Sequence, residues 1–260
     1  MSRPHVIAVC NQKGGVGKTT TALSLGAALT ERELRVLLVD CDPQGNATSG
    51  LGVRPSELDQ SIYDVVVLGR PLLEVALPVA DVPGLTLVPS NVALAGSELE
   101  LAELPLRESR LRLALDGIDQ FDYVLLDTPP SLGLLTVNCL VAADSLLIPL
   151  QCEYYALEGL SLLTQTHAMV RQSLNPSLSL AGIVLTLFDP RTLLSAQVVS
   201  EVRRRFSEQT FDTVIPRSVR LSEAPSHGVP ITVYEPSGRA ATAYRALAEE
   251  LLARTAPVAA

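Results

Sequence analysis

The sequence predicts an α/β domain built on a single doubly wound, mostly parallel sheet with helices on both faces. Short runs rich in Val, Ile and Leu recur along the 260 residues, apolar at successive positions, as strands covered on both sides require. Longer segments of helical period separate them, so strand and helix alternate. The composition, 47% hydrophobic and 18% charged, supplies a large core and excludes a globally disordered chain.

The first strand is His5–Cys10, which runs into a Gly-rich turn and a helix over Thr19–Glu31. Arg35–Val39 is the second strand. Residues 45–84 carry Gly, Pro and short helical pieces and are the least regular part. Strand Leu85–Val88 precedes helices at Leu94–Leu104 and Glu108–Gly117. Strand Tyr123–Leu126 leads to helix Leu132–Ala142, and Ser145–Pro149 to helix Ala156–Ser173, which Tyr154 and Tyr155 open by packing or capping. Leu180–Thr186, helix Leu194–Ser207, strand Thr213–Ile215 and helix Arg239–Arg254 complete the series. No repeat or Gly/Ser linker divides the chain. Residues 1–254 are expected as one domain and 255–260 as a flexible tail. The longest apolar stretch, Leu132–Leu150, is interrupted by Asn138, Asp144 and Pro149, which excludes a membrane span there. With no signal peptide legible, a cytoplasmic protein is expected.

Formal charge is −8, so a uniformly basic glove for nucleic acid is excluded. Residues 181–260 nevertheless carry nine arginines against eight acids, and an anionic partner is expected to meet that third. Of 20 basic residues only Lys13 and Lys18 are lysine, five positions apart in one Gly-rich loop, where a compact ammonium is chemically required. The four cysteines have neither a C-x-x-C pair nor zinc spacing and are expected as reduced thiols.

That loop is Asn11-Gln12-Lys13-Gly14-Gly15-Val16-Gly17-Lys18-Thr19-Thr20. Glycines let successive N–H groups point inward, and the helix that follows adds the positive end of its dipole. Lys18 would reach the β- and γ-phosphates of a nucleotide and the Thr19 hydroxyl would ligate Mg²⁺. Gln12 stands where a standard phosphate loop begins with Gly, and Lys13 directly precedes Gly14. Two lysines so close repel unless both face phosphate. Asp40 and Asp42 follow the second strand and Asp127 follows the strand Tyr123–Leu126, at the strand ends where open α/β sheets bind ligands. A side-chain period of two would point Asp40 and Asp42 the same way if the strand continues. Asp127 is assigned to a Mg²⁺ water, Asp40 to support of that shell, and Asp42 to the attacking water.

Together these residues resemble the ParA/MinD group of deviant-Walker ATPases. Four stretches look most like its ParA (Soj) partitioning branch, namely Lys13–Thr20, Val39–Gly50, Leu125–Pro130 and Ile215–Ile231. The resemblance implies an ATP-dependent homodimer that sandwiches two ATP molecules with Mg²⁺. Lys13 of each subunit would reach the other's nucleotide and stabilise developing charge as an arginine finger does. It further implies non-specific binding of double-stranded DNA by the ATP dimer, hydrolysis stimulated by a ParB-like centromere-binding partner, and a cytoplasmic, nucleoid-associated location. The adenine-binding turn carries over to Pro216 and Ser218, with Ser in place of the family's Asn. DNA contacts carry over to Arg191 and Arg220, with Arg217 and the run Arg203–Arg205 as further candidates; Pro190 and Leu193 depart from the family's pattern around Arg191. Other outputs on the same ATPase remain open. A MinD-like membrane switch calls for a basic amphipathic C-terminal helix, whereas Ala246–Ala260 carries Glu249 and Glu250 against Arg254, so no membrane partner is expected. An iron–sulfur reductase calls for paired cysteines, and positioning of a non-DNA cargo would use the same site.

Overall fold

The computed structural model describes residues 3–153 and 156–255; Tyr154, Tyr155 and residues 256–260 of the expected tail lie outside the described residues. Strand β1 (His5–Val9) leads into α1 (Lys18–Thr30) and β2 (Val36–Asp40). The irregular stretch holds α2 (Asn46–Gly50), a 3-10 turn at Pro55–Glu57, α3 (Ile62–Val66), α4 (Leu72–Val75) and the two-residue β3 (Leu77–Pro78). Then come β4 (Leu85–Val88), α5 (Ser97–Ala102), α6 (Arg110–Leu115), β5 (Tyr123–Asp127), α7 (Leu134–Ala142) and β6 (Ser145–Gln151). The order continues with α8 (Ala156–Ser173), β7 (Ser179–Phe188), α9 (Leu193–Arg205), β8 (Thr210–Pro216) and α10 (Val219–Glu223). A 3-10 turn at Ala224–His227, α11 (Ile231–Tyr234) and α12 (Arg239–Thr255) follow.

The strands form one sheet in the order β3-β4-β2-β5-β1-β6-β7-β8. Every pairing is parallel except that of β3 with β4. Strand side chains alternate between two cores. Val6 and Ala8 of β1 belong to the core shared with α7, α8 and α9. Ile7 and Val9 belong to the core shared with α1 and α12. Both faces are therefore apolar, which is why the strands read as continuous apolar runs, and each fully buried Leu or Ile contributes about 1.5–3 kcal/mol.

From β1 the chain passes first to β2 on one side and later to β6 on the other. That switch point opens a crevice at the C-terminal end of β1. Register levels the key positions: Asp127 of β5 lies opposite Val9 of β1 and Asp40 of β2.

Three expectations change. The helix expected over Leu94–Leu104 splits into a 3-10 turn (Val92–Gly96) and α5, because the Ser97 hydroxyl donates to the Leu94 carbonyl at 2.7 Å and Gly96 supplies little helix propensity. Thr255, expected in the tail, is the last residue of α12, where its hydroxyl bonds the Leu251 carbonyl and the Tyr123 hydroxyl, both at 2.8 Å. The strand of Asp40 does not continue to Asp42. The Asp42 N–H donates to Asp40 Oδ1 at 3.1 Å, and the chain turns away before Pro43.

Candidate functional site

The phosphate loop leaves β1 and enters α1 through Gly17, whose φ of 87° lies in the left-handed region, as does that of Gly15 at 75°. A Cβ at Gly14, Gly15 or Gly17 would meet nothing within 4 Å, so the loop curls around open space as a cradle for an anion would. Loop and sheet are fastened together. Asn11 donates to the Pro149 carbonyl at 2.7 Å and accepts the Lys13 N–H at 3.0 Å, while the Thr186 hydroxyl donates to the Val16 carbonyl at 2.8 Å. Val16 is buried and serves the fastening. Gln12, at the departure from the standard loop, carries a buried side-chain amide nitrogen without a partner.

A cleft of about 580 Å³ opens over the loop. Gly14, Gly15, Gly17, Lys18, Thr19 and Thr20 line its floor, Asp42, Gln44, Asn46 and Ser49 one wall, and Thr186, Leu187, Ile215, Ser218 and Leu221 the other. Lys18 is buried, and its ammonium folds back to the Lys13 carbonyl at 3.3 Å. Burial lowers its pKa, and Asp127, the Cys10 thiol and Asp42 oppose that shift. Lys13 does not line the cleft; its ammonium pairs with Glu153 at 2.9 Å.

The aspartates divide their work. Asp40 is fully buried, and its oxygens accept from the Thr48 N–H at 2.8 Å, the Thr48 hydroxyl at 2.7 Å and the Asp42 N–H. It fastens the loop after β2 and keeps little ligating capacity of its own. Burial pushes its pKa up to about 6 despite those bonds. Asp127 is fully buried, and neither carboxylate oxygen has a hydrogen-bond partner. Burial, then the neighbouring Asp40, raises its pKa well above the ordinary value, against the Thr19 hydroxyl and Lys18. An orphaned buried carboxylate beside a threonine hydroxyl and an anion cradle fits a cation carried in with phosphates. Asp42 is buried on the cleft wall and accepts the Gln44 N–H at 2.9 Å.

The turn expected for adenine is partly in place. Ser218 lines the cleft while capping α10 through the Arg220 N–H at 3.2 Å. Pro216 ends β8 opposite Phe188 and is not among the lining residues. Leu187 on the cleft wall was not expected. It is a non-glycine residue at φ 53°, a strained backbone that no residue pattern marks.

The arginines lie on the surface. Arg191 is 85% exposed at its side chain and forks onto Asp189 at 2.7 and 2.9 Å, holding that carboxyl at about 2. Arg217 acts on the same Asp189, so these two candidates share a neighbourhood. Arg220 pairs with Glu223 at 2.8 Å and Glu235 at 3.7 Å. In the run, Arg204 and Arg205 both pair with Glu201, and Arg203 donates to the Asp212 carbonyl. The four cysteines are buried free thiols. No helix among the described residues is long and apolar enough to cross a membrane.

Sheet order, phosphate loop and strand-end carboxylates define a phosphate-loop nucleotide-binding α/β protein. Residues 4–180 match the AAA domain family AAA_31. The chain is 51% identical over 249 residues to the sporulation initiation inhibitor protein Soj of Bacillus subtilis, covering 95% of this chain and 98% of that one. It is 51% identical over 254 residues to the chromosome partitioning protein ParA of Myxococcus xanthus, covering 97% and 89%. The chain belongs to the ParA/Soj family of phosphate-loop ATPases. A solved structure described as cobyrinic acid a,c-diamide synthase of Mycobacterium smegmatis, with bound ATP analogue and magnesium, is 41% identical with a TM-score of 0.84, covering 96% of this chain and 94% of that one.

Proposed function

We propose that this chain is an ATP-dependent DNA-segregation ATPase whose ATP-bound sandwich dimer binds duplex DNA without sequence preference. A ParB-like partner stimulates hydrolysis and so releases the dimer. The protein works in the cytoplasm on the nucleoid. The observation that carries this reading is the separation of the two lysines. Lys18 lies on the floor of the cleft, whereas Lys13, in the same loop, lies outside it with its ammonium at the surface. A cation so placed serves a second subunit's nucleotide better than its own.

The residues then divide the chemistry. The N–H groups from Gly14 to Thr20 and the start of α1 hold the phosphates. Lys18 exchanges the Lys13 carbonyl for phosphate oxygens. Thr19 and Asp127 would hold Mg²⁺, with Asp40 fixing the backbone behind them; the ion supplies positive charge against the phosphate oxygens. Asp42 orients a water toward the γ-phosphorus. The water oxygen bonds to phosphorus as the bond to the bridging oxygen breaks, giving ADP and phosphate, and Lys13 of the partner subunit stabilises the charge that develops. Pro216 and Ser218 form the turn at the base end, and Arg191, Arg217 and Arg220 meet the DNA backbone.

Sedimentation with non-specific duplex DNA tests the reading, using a slowly hydrolysed ATP analogue or ADP at low and physiological salt. Retention with the analogue alone, fading as salt rises, is expected. No retention with either nucleotide overturns it. A membrane switch is disfavoured because the apolar face of α12, including Ala241, Tyr244, Leu247 and Leu251, is packed into the core. The Mycobacterium smegmatis structure carries a second reading, an amide-forming ligase. That activity requires ATP turnover that depends on an added carboxylic acid and nitrogen donor, and not on DNA or a ParB-like protein.

A further inference from the structure

Lys13 is held in place. Its Nζ lies 2.9 Å from Glu153 Oε2, with the two side chains 39% and 49% exposed. Glu153 follows the end of β6 on a short turn. Its N–H donates to the Gln151 carbonyl at 2.8 Å, the preceding Cys152 N–H donates to the Thr186 carbonyl at 3.1 Å, and the Gln151 side-chain amide donates to Glu153 Oε1. The backbone of Lys13 is tied to the same strand through Asn11 and the Pro149 carbonyl. The end of β6 thus grips the start of the phosphate loop twice, once at the backbone and once at the ammonium. The loop asks for such a counter-charge. Lys18, five residues on, is buried, so a second ammonium in the same loop is best held away from it against a carboxylate.

We infer that Glu153 is a positioning residue for Lys13. It latches the ammonium against β6 in the unpaired subunit, and the latch must open before Lys13 reaches a partner's nucleotide. This rests on the reading that Lys13 acts across the dimer. An exposed ion pair is a weak latch, which suits a switch, and contributes about 1.4- to 5-fold in an equilibrium constant. Two latches open per dimer, so the effect on pairing is the square of that, about 2- to 30-fold.

The test follows dimerisation against protein concentration by sedimentation velocity with a slowly hydrolysed ATP analogue, alongside nucleotide affinity measured on dilute monomer. Glu153→Gln, which keeps the shape and the acceptor for Gln151, is expected to move the dimerisation midpoint about 2- to 30-fold lower with monomer nucleotide affinity unchanged. Glu153→Asp should restore part of the wild-type midpoint. In a Lys13→Gln background Glu153→Gln should shift nothing further, because the latch has lost its bolt. A Glu153→Gln midpoint that is unchanged or higher, with nucleotide affinity intact, overturns the latch. Lys13→Gln alone separates the two failures. Wild-type hydrolysis in that variant removes the cross-subunit lysine itself, whereas lost hydrolysis with an unmoved Glu153→Gln midpoint removes only the latch.

Discussion

The role proposed for Asp127 opposes the stability of the fold. The residue is a buried carboxylate with both oxygens unpartnered, next to the buried Asp40 and with Lys18 and the Thr19 hydroxyl as its favourable neighbours. Asn at this position keeps the shape and removes the charge. Without nucleotide, Asp127→Asn is therefore expected to be more stable than the natural chain by about 1–3 kcal/mol, the scale of an uncompensated buried polar group. Its Mg²⁺-dependent turnover should fall about 10- to 100-fold, as when a group supporting a metal is removed. Thermal melting of the nucleotide-free protein and phosphate release with Mg²⁺ check the two halves. A variant that loses stability and turnover together would give Asp127 a structural role. Lys13→Ala makes the complementary case, because Lys13 lies outside the cleft that holds Lys18. That variant should bind nucleotide as the natural chain does and fail to hydrolyse it; unchanged phosphate release would remove its role.

At the scale of elements, glycine decides a close approach behind Ser49 and Pro225, two residues that line the cleft. Gly228 ends the 3-10 turn at Ala224–His227 with φ 71°, and a Cβ there would stand 2.7 Å from the Gly52 Cα just beyond α2. Gly228→Ala must push these two backbones apart. It should cost about 1–3 kcal/mol and weaken nucleotide affinity several-fold, measured by melting and by titration of a fluorescent ATP analogue. Two histidines give the elements a pH response. His5, at the N-terminal end of β1, meets the Ser145 hydroxyl of β6 at 2.9 Å, and His167 on α8 meets the Leu178 carbonyl at 3.2 Å. Burial is the first cause that lowers both below the ordinary value near 6.5. At these two sites the unfolded chain binds more protons below that pH, so their contribution to stability is lost as pH drops from about 6.5, whereas the raised carboxyls of Asp40 and Asp127 act in the opposite direction. Melting between pH 7 and 5.5 should show the natural chain losing stability relative to a His5→Asn/His167→Asn double variant as pH falls; a constant difference would remove the histidine contribution. The strands were legible because each long run is apolar on both faces; β3 escaped because two residues, one of them Pro78, make no pattern. The loop and Asp127 were legible from spacing and strand ends. The role of Thr48 in fastening Asp40, eight residues earlier, and the left-handed Leu187 were not, because neither a loop folding back onto its own strand nor a positive φ at a non-glycine residue leaves a mark in the residue types.

The whole molecule carries −8, so its ATP dimer would carry about −16, and DNA binding by so acidic a particle demands that arginines gather while acids face elsewhere. The surface goes partway in the single subunit. Arg191 pairs with Asp189, whose carboxyl also feels the charge of Arg217, whereas Glu201 takes up both Arg204 and Arg205. Each exposed pair is weak enough for phosphate to displace the carboxylate. Phosphate neutralisation releases counterions, so affinity should fall steeply with salt, with a slope of about −0.9 per phosphate contacted. Arg191→Glu or Arg220→Glu reverses one contact in each subunit. Either variant should lower the salt slope by about 2 per dimer, weaken DNA retention and leave unstimulated phosphate release unchanged. Filter binding across a salt series, with phosphate release on the same preparations, separates the possibilities. An unchanged slope in both variants would place the DNA face elsewhere, and loss of hydrolysis in both would assign these arginines to the fold or the nucleotide.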